Sequence, residues 1–402
     1  MGAMYLVRQS SFICLCATLL TLTALAQPAA EGPTANPEIT TASSPSAWVY
    51  VVSYGNSGSS SIMAYQSAAD GRLTTVPGSP FANFDTNEIG IAVNGKYLFV
   101  TDEPQESIDA YTIESDGSLT YSATTHVPSE AGGCGHIGSP FLDHTGASLY
   151  VIDWADQLCS DWLLLGFAVD KSNGDLTFLD SAGNGQIFTV QPLSFLGNNK
   201  FAYGSEGWGT ETVVGFERKR KGSLSALNIH PAMPKPAKGL HYNVWSPVAA
   251  DPQGNLAIAV QARDSSGKVV GDTQLAVYSA DGSGRLTTTS TYANMPNSLT
   301  GPVASMSMSP SGKLLAVAGV NGLQIFHFNG AKPITSYTKL QDYHGEFEPM
   351  FGDNDDHLYA INQASNQLWV FTVTPTKFSV APGSPYSVSG PISLSVQPLP
   401  RY

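Results

Sequence analysis

Hydrophobic residues recur along the chain in short runs that alternate with polar positions, and the runs come in groups of four. One run in each group ends with a hydrophobic residue followed three positions later by an aromatic residue, just before a turn. Seven such pairs occur: Ile62/Tyr65, Ile108/Tyr111, Leu164/Phe167, Val213/Phe216, Leu275/Tyr278, Ile325/Phe328 and Leu368/Phe371. Because they lie roughly 50 residues apart, we interpret them as a structural repeat of four short β-strands.

Turn residues separate the predicted strands. Pairs such as Asn94-Gly95 and Ser311-Gly312 stand between the first and second strands of the repeats. A Gly-x-Leu turn follows most of the third strands, at Gly71, Gly117, Gly174, Gly222 and Gly284. Asn and Gly tolerate the positive φ angles that tight hairpins need, so each repeat is predicted to be a four-stranded antiparallel sheet.

The two ends of the chain complement each other. Residues 391–398 resemble a first strand with no second strand behind it, while residues 48–53 resemble a second strand that lacks its first. Pairing the two completes a seventh unit, and a ring closed in this way leaves only short strand edges. A linear β-solenoid would not need complementary ends. The predicted fold class is therefore all-β, a seven-bladed β-propeller.

The N-terminus has the pattern of a secretory signal. Arg8 precedes an apolar run over residues 12–26, which ends in Ala24-Leu25-Ala26. We predict a signal peptide over residues 1–26, a flexible leader over residues 27–46 rich in Pro, Ala, Ser and Thr, and a single propeller domain over residues 47–402. An uncleaved anchor is the alternative. The expected location is secreted or periplasmic, without a membrane span in the mature chain.

Charge and cysteine content narrow the function. The chain carries 19 basic and 32 acidic residues, a net charge of −13, which excludes nucleic acid as an expected partner. Cys134 and Cys159 remain after signal removal and lie in predicted loops of one repeat. In an exported protein such a pair favours a disulfide, with two buried free thiols as the alternative.

Several segments resemble one family. The Gly-x-Leu turns, Pro77-Gly78-Ser79-Pro80-Phe81 with its echo at residues 382–386, and Leu98-Phe99-Val100-Thr101 resemble the seven-bladed lactonase-type propellers. That group includes bacterial 6-phosphogluconolactonases and fungal muconate-lactonizing enzymes. The resemblance spans essentially the whole mature chain, but it consists of structural repeats rather than a catalytic signature.

Strand direction predicts where a site lies. Connections from second to third strands and from one repeat to the next share one end of the ring, which we call the loop face. These connections vary most in length, and variable loops on a rigid scaffold are where binding usually occurs. We therefore expect any ligand site at the loop face.

Three residues are candidates for catalysis. The resemblance implies a His-x-His arrangement at the start of an inner strand, and His136 fits its first position, whereas Gly138 stands at the second. A histidine there could act as general base on a lactone, as could His241, which precedes the fifth inner strand. Glu348 is the third candidate. A hydrogen-bonded loop histidine without catalytic function is the alternative for both histidines.

Acidic and aromatic residues dominate the predicted loop face. Aromatic rings beside carboxylates suit a sugar, and carboxylates can also hold Ca²⁺ or another divalent cation, although no cofactor is required. A solvated acidic rim is the alternative. The ligand-binding candidates are Glu88, Asp102, Asp153, Trp154, Glu206, Trp208, Tyr242, Arg263 and Glu346.

Arginine is scarce where an anionic substrate would need it. Of the six arginines beyond the signal, only Arg263 is predicted near the loop face. A phosphorylated lactone is therefore not the expected substrate. Two functions stay open: a monomeric binding or scaffold module for a small molecule, a glycan or a protein, and a hydrolase of an unphosphorylated lactone. Fold alone does not decide between them.

Overall fold

The computed structural model describes residues 45–54, 59–84, 88–154, 162–183, 192–205, 213–342, 345, 347–352 and 356–399. All of them belong to the unit Ser43–Tyr402. The predicted signal peptide and nearly all of the predicted leader lie outside these residues, so both stay predictions.

Short strands account for almost all regular structure in these residues, apart from a 3-10 turn at Ser129–Ala131. In chain order they are β1 (Ala47–Tyr54), β2 (Ser60–Ser67), β3 (Leu73–Thr75), β4 (Phe81–Phe84), β5 (Glu88–Val93), β6 (Tyr97–Asp102), β7 (Ser107–Ile113), β8 (Leu119–His126), β9 (Phe141–Leu142), β10 (Ser148–Asp153), β11 (Leu163–Val169), β12 (Leu176–Ala182), β13 (Ser194–Phe195), β14 (Phe201–Ser205), β15 (Val213–Arg218), β16 (Leu224–Leu227), β17 (His241–Ala250), β18 (Asn255–Arg263), β19 (Thr273–Ala280), β20 (Leu286–Thr287), β21 (Asn297–Ser298), β22 (Val303–Met308), β23 (Leu314–Gly319), β24 (Gly322–Asn329), β25 (Lys332–Ser336), β26 (Phe347–Phe351), β27 (His357–Asn362), β28 (Gln367–Thr374), β29 (Lys377–Val380), β30 (Tyr386–Ser387) and β31 (Pro391–Pro398).

The strands of the described residues form seven antiparallel sheets, which are the blades of a propeller. Blade 1 contains β31 and β1–β4, and the following blades contain β5–β8, β9–β12, β13–β16, β17–β21, β22–β25 and β26–β30. In blades 1, 5 and 7 the outermost position is shared by two short strands. The predicted fold class is confirmed.

Both chain ends build blade 1, as the sequence predicts. Strand β1 pairs antiparallel with β31, from Ala47 opposite Pro398 to Ser53 opposite Pro391. On its other side β1 pairs with β2 along its full length. Since β1 is covered on both edges and is buried up to its last residue, the ring has no open end at this blade.

Hydrophobic clusters hold neighbouring blades together. One buried cluster lies at each of the seven blade interfaces that the described residues form. Trp48 and Trp369, which the sequence assigns to the core, are 4% and 9% exposed within two of these clusters. Burial of apolar surface between blades, rather than within one blade, therefore supplies most of the core.

Tyrosines of the second strands cross several of these interfaces. Tyr50, Tyr150 and Tyr203 donate hydrogen bonds to the carbonyl groups of turn glycines in the next blade, over 3.0, 2.5 and 2.7 Å. One of these turn residues, Gly284, has a φ of +83°, and a Cβ there would lie 2.9 Å from the ring of Phe201. The Gly-x-Leu signature thus marks positions where backbone conformation and close packing both require glycine.

Candidate functional site

A central channel of about 650 Å³ runs between the innermost strands. Each of the seven blades contributes residues to its wall, mainly from β5, β13, β17, β22, β26 and β31 and from the segment that leads into β9. The polar groups of the wall are Ser139, Ser194, Ser305, Ser307, Glu348, Gln363, Ser393 and Ser395. Described residues from every repeat therefore meet at the channel.

Among the described residues that line this wall, Glu348 is the charged one. It lies on β26, half-buried, and its neighbours in the channel include Pro349, Met350 and Ser393. Burial raises the pKa of its carboxyl group to about 7, although a hydrogen bond from the backbone N–H of Leu394 acts in the opposite direction. A carboxyl group that titrates near neutral pH inside a cavity is a candidate for binding or proton transfer.

Serines of the inner strands connect the blades that surround the channel. The hydroxyl oxygen of Ser194 accepts the backbone N–H of Ala250 over 2.9 Å, and that of Ser393 accepts the N–H of Ile91 over 3.3 Å. Ser305 donates to the carbonyl oxygen of Phe347 over 2.9 Å. These hydroxyl groups therefore stiffen the channel while presenting polar surface to its interior.

At the loop face, a glycine-rich loop covers residues 132–136 of blade 3. Asp153, at the end of β10, is fully buried beneath it. Its Oδ1 accepts the backbone N–H groups of Cys134 and His136, each over 3.1 Å, and its Oδ2 accepts that of Gly135 over 3.2 Å. Gly133 has a φ of +93°, and a Cβ there would lie 2.2 Å from Oδ2. Asp153 thus holds the loop, and its burial leaves no surface for the ligand contact that the sequence suggests.

His136 projects from this loop beside an acidic residue of blade 2. Its Nδ1 lies 3.0 Å from Oε1 of Glu103, and both side chains are partly exposed. A carboxylate can only accept, so Nδ1 donates this bond, and in the neutral ring the lone pair is on Nε2. The ring also stacks on Trp154, whose indole borders the channel. His136, Glu103 and Trp154 therefore form a group at the mouth.

Residues 136–138 reach the mouth because they extend the sheet of blade 3. The N–H of Gly138 donates to Ile152 over 2.8 Å, and that of Trp154 donates to His136 over 3.0 Å. The connection 103–106 meets the same region, since a Cβ at Gly135 would lie 2.6 Å from Oε1 of Glu106. The predicted gathering of these connections at one end of the ring is confirmed for blades 2 and 3.

His241, Tyr242 and Arg263 do not join this group. His241 begins β17 with an exposed side chain and lies opposite Arg263 of β18. Tyr242 is 6% exposed in the core between blades 4 and 5, where its hydroxyl donates to Gln274 over 2.9 Å. Arg263 donates from Nη1 to the carbonyl of Gly267 over 2.9 Å. The channel wall of this blade is instead Pro247 and Val248, so the catalytic role suggested for His241 and the ligand contacts suggested for Tyr242 and Arg263 stay predictions.

The other predicted site residues are only partly described. Asp102 ends β6, and its Oδ1 accepts the N–H of Gln105 over 3.0 Å, which places it in the turn beside Glu103. Glu88 begins β5 opposite Asp102, and its side chain is not among those described. Glu206, Trp208 and Glu346 lie outside the described residues.

Cys134 lies in the glycine-rich loop above Asp153, whose Oδ1 accepts its backbone N–H. Cys159, the partner that the sequence predicts, lies outside the described residues, so this pairing stays a prediction. In the parts of the chain that the structure covers, no three His, Cys, Asp or Glu side chains come together as a metal site would require, and the binding of a divalent cation stays a prediction. In the same parts, no helix is long and apolar enough to cross a membrane.

The sequence prediction missed the serines of the channel. Ser139, Ser194, Ser305 and Ser393 lie at or near the start of four inner strands, where short polar residues interrupt apolar runs. That recurrence across repeats was the available signal. The recurrence indicates a polar wall shared by several blades. Motifs considered one at a time do not reveal such a wall.

No family model matches the chain, and no curated protein matches its sequence. Its fold resembles that of solved structures, three of which follow, each less than 20% identical to this chain in sequence. A Lactobacillus plantarum protein has a TM-score of 0.63 and 15% identity, with 87% of this chain and 99% of that chain covered. A periplasmic gluconolactonase from Pseudomonas aeruginosa has a TM-score of 0.61 and 19% identity, with 88% and 99% covered. A Bacteroides fragilis protein named as a candidate 6-phosphogluconolactonase has a TM-score of 0.56 and 14% identity, with 90% and 99% covered. The structural neighbours thus include lactonase-type propellers, and at these identities the likeness concerns the fold alone.

Proposed function

We propose that this protein binds a small polar molecule in its central channel. The observation that carries this proposal is the channel itself, whose volume of about 650 Å³ lies in the range of small-molecule sites. Its wall combines hydroxyl groups, a carboxyl group and apolar side chains, as orienting groups within an apolar pocket do. A module that binds a macromolecule would instead rely on the outer surface of the loop face.

The charge of the wall limits the class of ligand. Glu348 is acidic, and none of the described side chains that line the channel is basic. A phosphorylated or carboxylated compound would meet no cation there and would be repelled when Glu348 is ionised. We therefore propose a ligand without negative charge. The gluconolactonase among the structural neighbours supports a compound of sugar size.

The mouth residues would contact the outer end of such a ligand. Trp154 offers an aromatic face next to the channel, and His136 and Glu103 offer a hydrogen-bonding pair beside it. Aromatic stacking combined with polar contacts suits a sugar-like ring. The residues of the loop 132–136 would then fix the approach to the channel.

A channel-filling variant tests this proposal. Ala304 lines the channel, so Ala304→Phe should remove binding of a panel of neutral sugars, sugar lactones and small amines detected by ligand-observed NMR. The matched control is Ala123→Phe on the outer strand β8, which should bind as the unaltered protein does. Equal binding by both variants, with both folded, would place the ligand elsewhere and contradict the proposal.

Hydrolysis of an unphosphorylated lactone is the second candidate function, favoured by the titration of Glu348 near neutral pH. As general base, its carboxylate would take a proton from water while the water oxygen attacks the lactone carbonyl. The ring C–O bond then breaks, and the ring oxygen leaves as a hydroxyl group with that proton, giving the hydroxy acid. His136 is the alternative base, oriented by Glu103.

Lactone turnover by the mature protein distinguishes the two functions. We would follow acid release from neutral sugar lactones and aliphatic lactones in a pH-stat, with Glu348→Gln and His136→Ala alongside. A hydrolase that uses Glu348 should gain activity as the pH rises through about 7 and lose it in Glu348→Gln. If folded protein hydrolyses the lactones no faster than buffer does, the hydrolase function is contradicted and binding is the function that remains.

We also propose that the protein is exported and monomeric, with Cys134 paired to Cys159. The signal pattern of residues 1–26 and the two remaining cysteines support export. Intact mass of protein recovered from the producing cells should show a chain that begins at Gln27 and is two hydrogens lighter than its reduced form. A full-length chain or two free thiols would contradict these assignments, and light scattering would test the monomer.

A further inference from the structure

The carboxyl group of Glu348 has no cationic partner in the described part of the chain. No Lys, Arg or His side chain forms an ion pair with it there. The contact that the structure gives is the backbone N–H of Leu394 on β31. Even half-buried, a carboxylate with so little compensation is destabilised in its ionised form.

Neighbouring strands supply no compensation either. Strands β22, β23 and β31, which pack against β26, carry no titratable or charged side chain. Strand β27 carries Tyr359, whose hydroxyl donates to Ser67 over 2.7 Å, and His357. Glu348 lies opposite Ile361 in the strand register, four residues along β27 from His357, and His357 is next to Gly71 of blade 1.

We infer that the ligand of the channel carries an ammonium group, which forms an ion pair with Glu348. This inference rests on the proposed binding of a small molecule in the channel and names its chemical class. The ammonium would provide the positive charge that no described Lys, Arg or His side chain provides beside Glu348. Its apolar part would lie along Met306, Met350 and the indole of Trp154, which border the same cavity.

Other ligand classes fit the wall less well. A hydroxyl group can form a hydrogen bond with either the protonated or the ionised carboxyl group. A neutral polyol therefore does not favour the ionised state of Glu348, and it supplies no positive charge to balance that state. An anion would be repelled. An ammonium favours the ionised carboxylate over the protonated form, and the net charge of −13 with Asp102 and Glu103 near the mouth attracts cations towards the channel.

Proton release accompanies such binding. With a pKa of about 7, most Glu348 side chains are protonated at pH 6 and ionised at pH 8 in the empty channel. An amine that stays protonated over this range should therefore bind about tenfold more tightly at pH 8 than at pH 6. A neutral ligand should show no such change.

Matched pairs of probes that differ in one group test the inference. We would use cyclohexylamine with cyclohexanol, and 1-amino-1-deoxysorbitol with sorbitol, and measure affinity by ligand-observed NMR at pH 6 and pH 8. The amine of at least one pair should bind about tenfold or more tightly than its alcohol at pH 8. Glu348→Gln should abolish that preference and its pH dependence, while Ala123→Phe, remote from the channel, should keep both.

The outcomes separate this inference from the proposal beneath it. If alcohols bind as tightly as their amines, the ammonium inference is overturned while small-molecule binding stands. If the amine preference persists in folded Glu348→Gln, Glu348 is not its source and the inference is overturned as well. If no probe binds up to tens of millimolar, both the inference and channel binding fail.

Discussion

Two carboxylates of the inner region show how strongly local surroundings decide what a residue does. Asp153 accepts three backbone N–H groups and is wholly enclosed. Glu348 receives the N–H of Leu394 and borders a cavity. The first is satisfied by backbone donors and organises a loop, whereas the second borders the channel in which we propose that a ligand binds.

Glu348 should make the stability of the protein depend on pH. Its pKa is about 7 in the folded chain and 4.5 ordinarily, so between these values the folded state binds more protons than the unfolded state. The free energy of unfolding should therefore fall as the pH rises from about 4.5 to 7, by at most about 3 kcal/mol.

Urea unfolding at pH 5 and pH 7.5 measures this contribution. The loss of stability between the two pH values should be smaller in Glu348→Gln than in the unaltered protein, because the variant cannot ionise. If both proteins lose the same free energy of unfolding between pH 5 and pH 7.5, burial does not raise the pKa of Glu348 as described.

Asp153 should be important for the order of the mouth. Asp153→Asn turns one acceptor into a donor that faces the N–H of Gly135, which should cost about 1–3 kcal/mol of the free energy of unfolding. Urea unfolding gives this value, and NMR of the His136 ring should show its altered position. Asp116→Asn, in an exposed turn, is the control and should change little; an equally small effect at Asp153 would argue against its role.

Sequence reasoning located part of the candidate site. His136 and Trp154 could be placed at the mouth because they follow a predicted turn and strand end, and Glu348 because it begins an inner strand. Tyr242 and Arg263 could not be placed, because an irregular pairing between Val244 and Val248 separates the start of β17 from its channel-lining part. Such a bulge changes which residues face the channel and leaves no mark in the alternation of the sequence.

At the scale of elements, the contact between second strands and turns of the next blade repeats around the ring. Tyr50, Tyr150 and Tyr203 each place a hydroxyl on a turn glycine carbonyl. Burial raises the pKa of Tyr203, and that of Tyr50, above the ordinary value, so these hydroxyl groups stay protonated and able to donate. The blades are thereby joined by directed bonds as well as by apolar packing.

Loss of one such hydroxyl should weaken one interface. Tyr203→Phe leaves the carbonyl of Gly284 without this donor at the boundary of blades 4 and 5, and should cost about 1–2 kcal/mol in urea unfolding. Tyr292→Phe is the control, since Tyr292 is 40% exposed, and should stay within about 0.5 kcal/mol of the unaltered protein. If both variants lose a similarly small amount of the free energy of unfolding, apolar packing alone stabilises the interface.

Strands and turns were the most predictable elements. The aromatic residue of each third strand and the Gly-x-Leu turns carry physical requirements, burial and positive φ, which a sequence shows directly. The short inner strands β9 and β13 were harder, since each has two residues. Their position is fixed by neighbouring blades, and a local pattern does not contain that information.

At the scale of the molecule, ring closure depends on β31. Deleting residues 391–402 removes the innermost strand of blade 1, exposes the edge of β1 and opens the channel wall that Ser393 and Leu394 form. The truncated chain should lose cooperative unfolding, measured by circular dichroism, and associate through the open edge. A synthetic peptide of residues 391–399 should restore monomeric, cooperative behaviour in part; a truncated chain that is stable and monomeric would contradict this account.

The whole-molecule prediction succeeded because the ends complement each other. Residues 48–53 and 391–398 are each half of a unit, and only a ring unites them. The ligand was beyond the reach of the sequence, since the channel is built from short segments of seven repeats whose side chains meet only after folding.

This construction has an evolutionary consequence. Each channel segment belongs to a different repeat, so a substitution at one wall position, such as Ala304 or Gln363, leaves the wall segments of the other six repeats as they were. Selectivity can therefore diverge one position at a time between descendants of a common ancestor, while the interfaces that keep the ring together remain under separate selection.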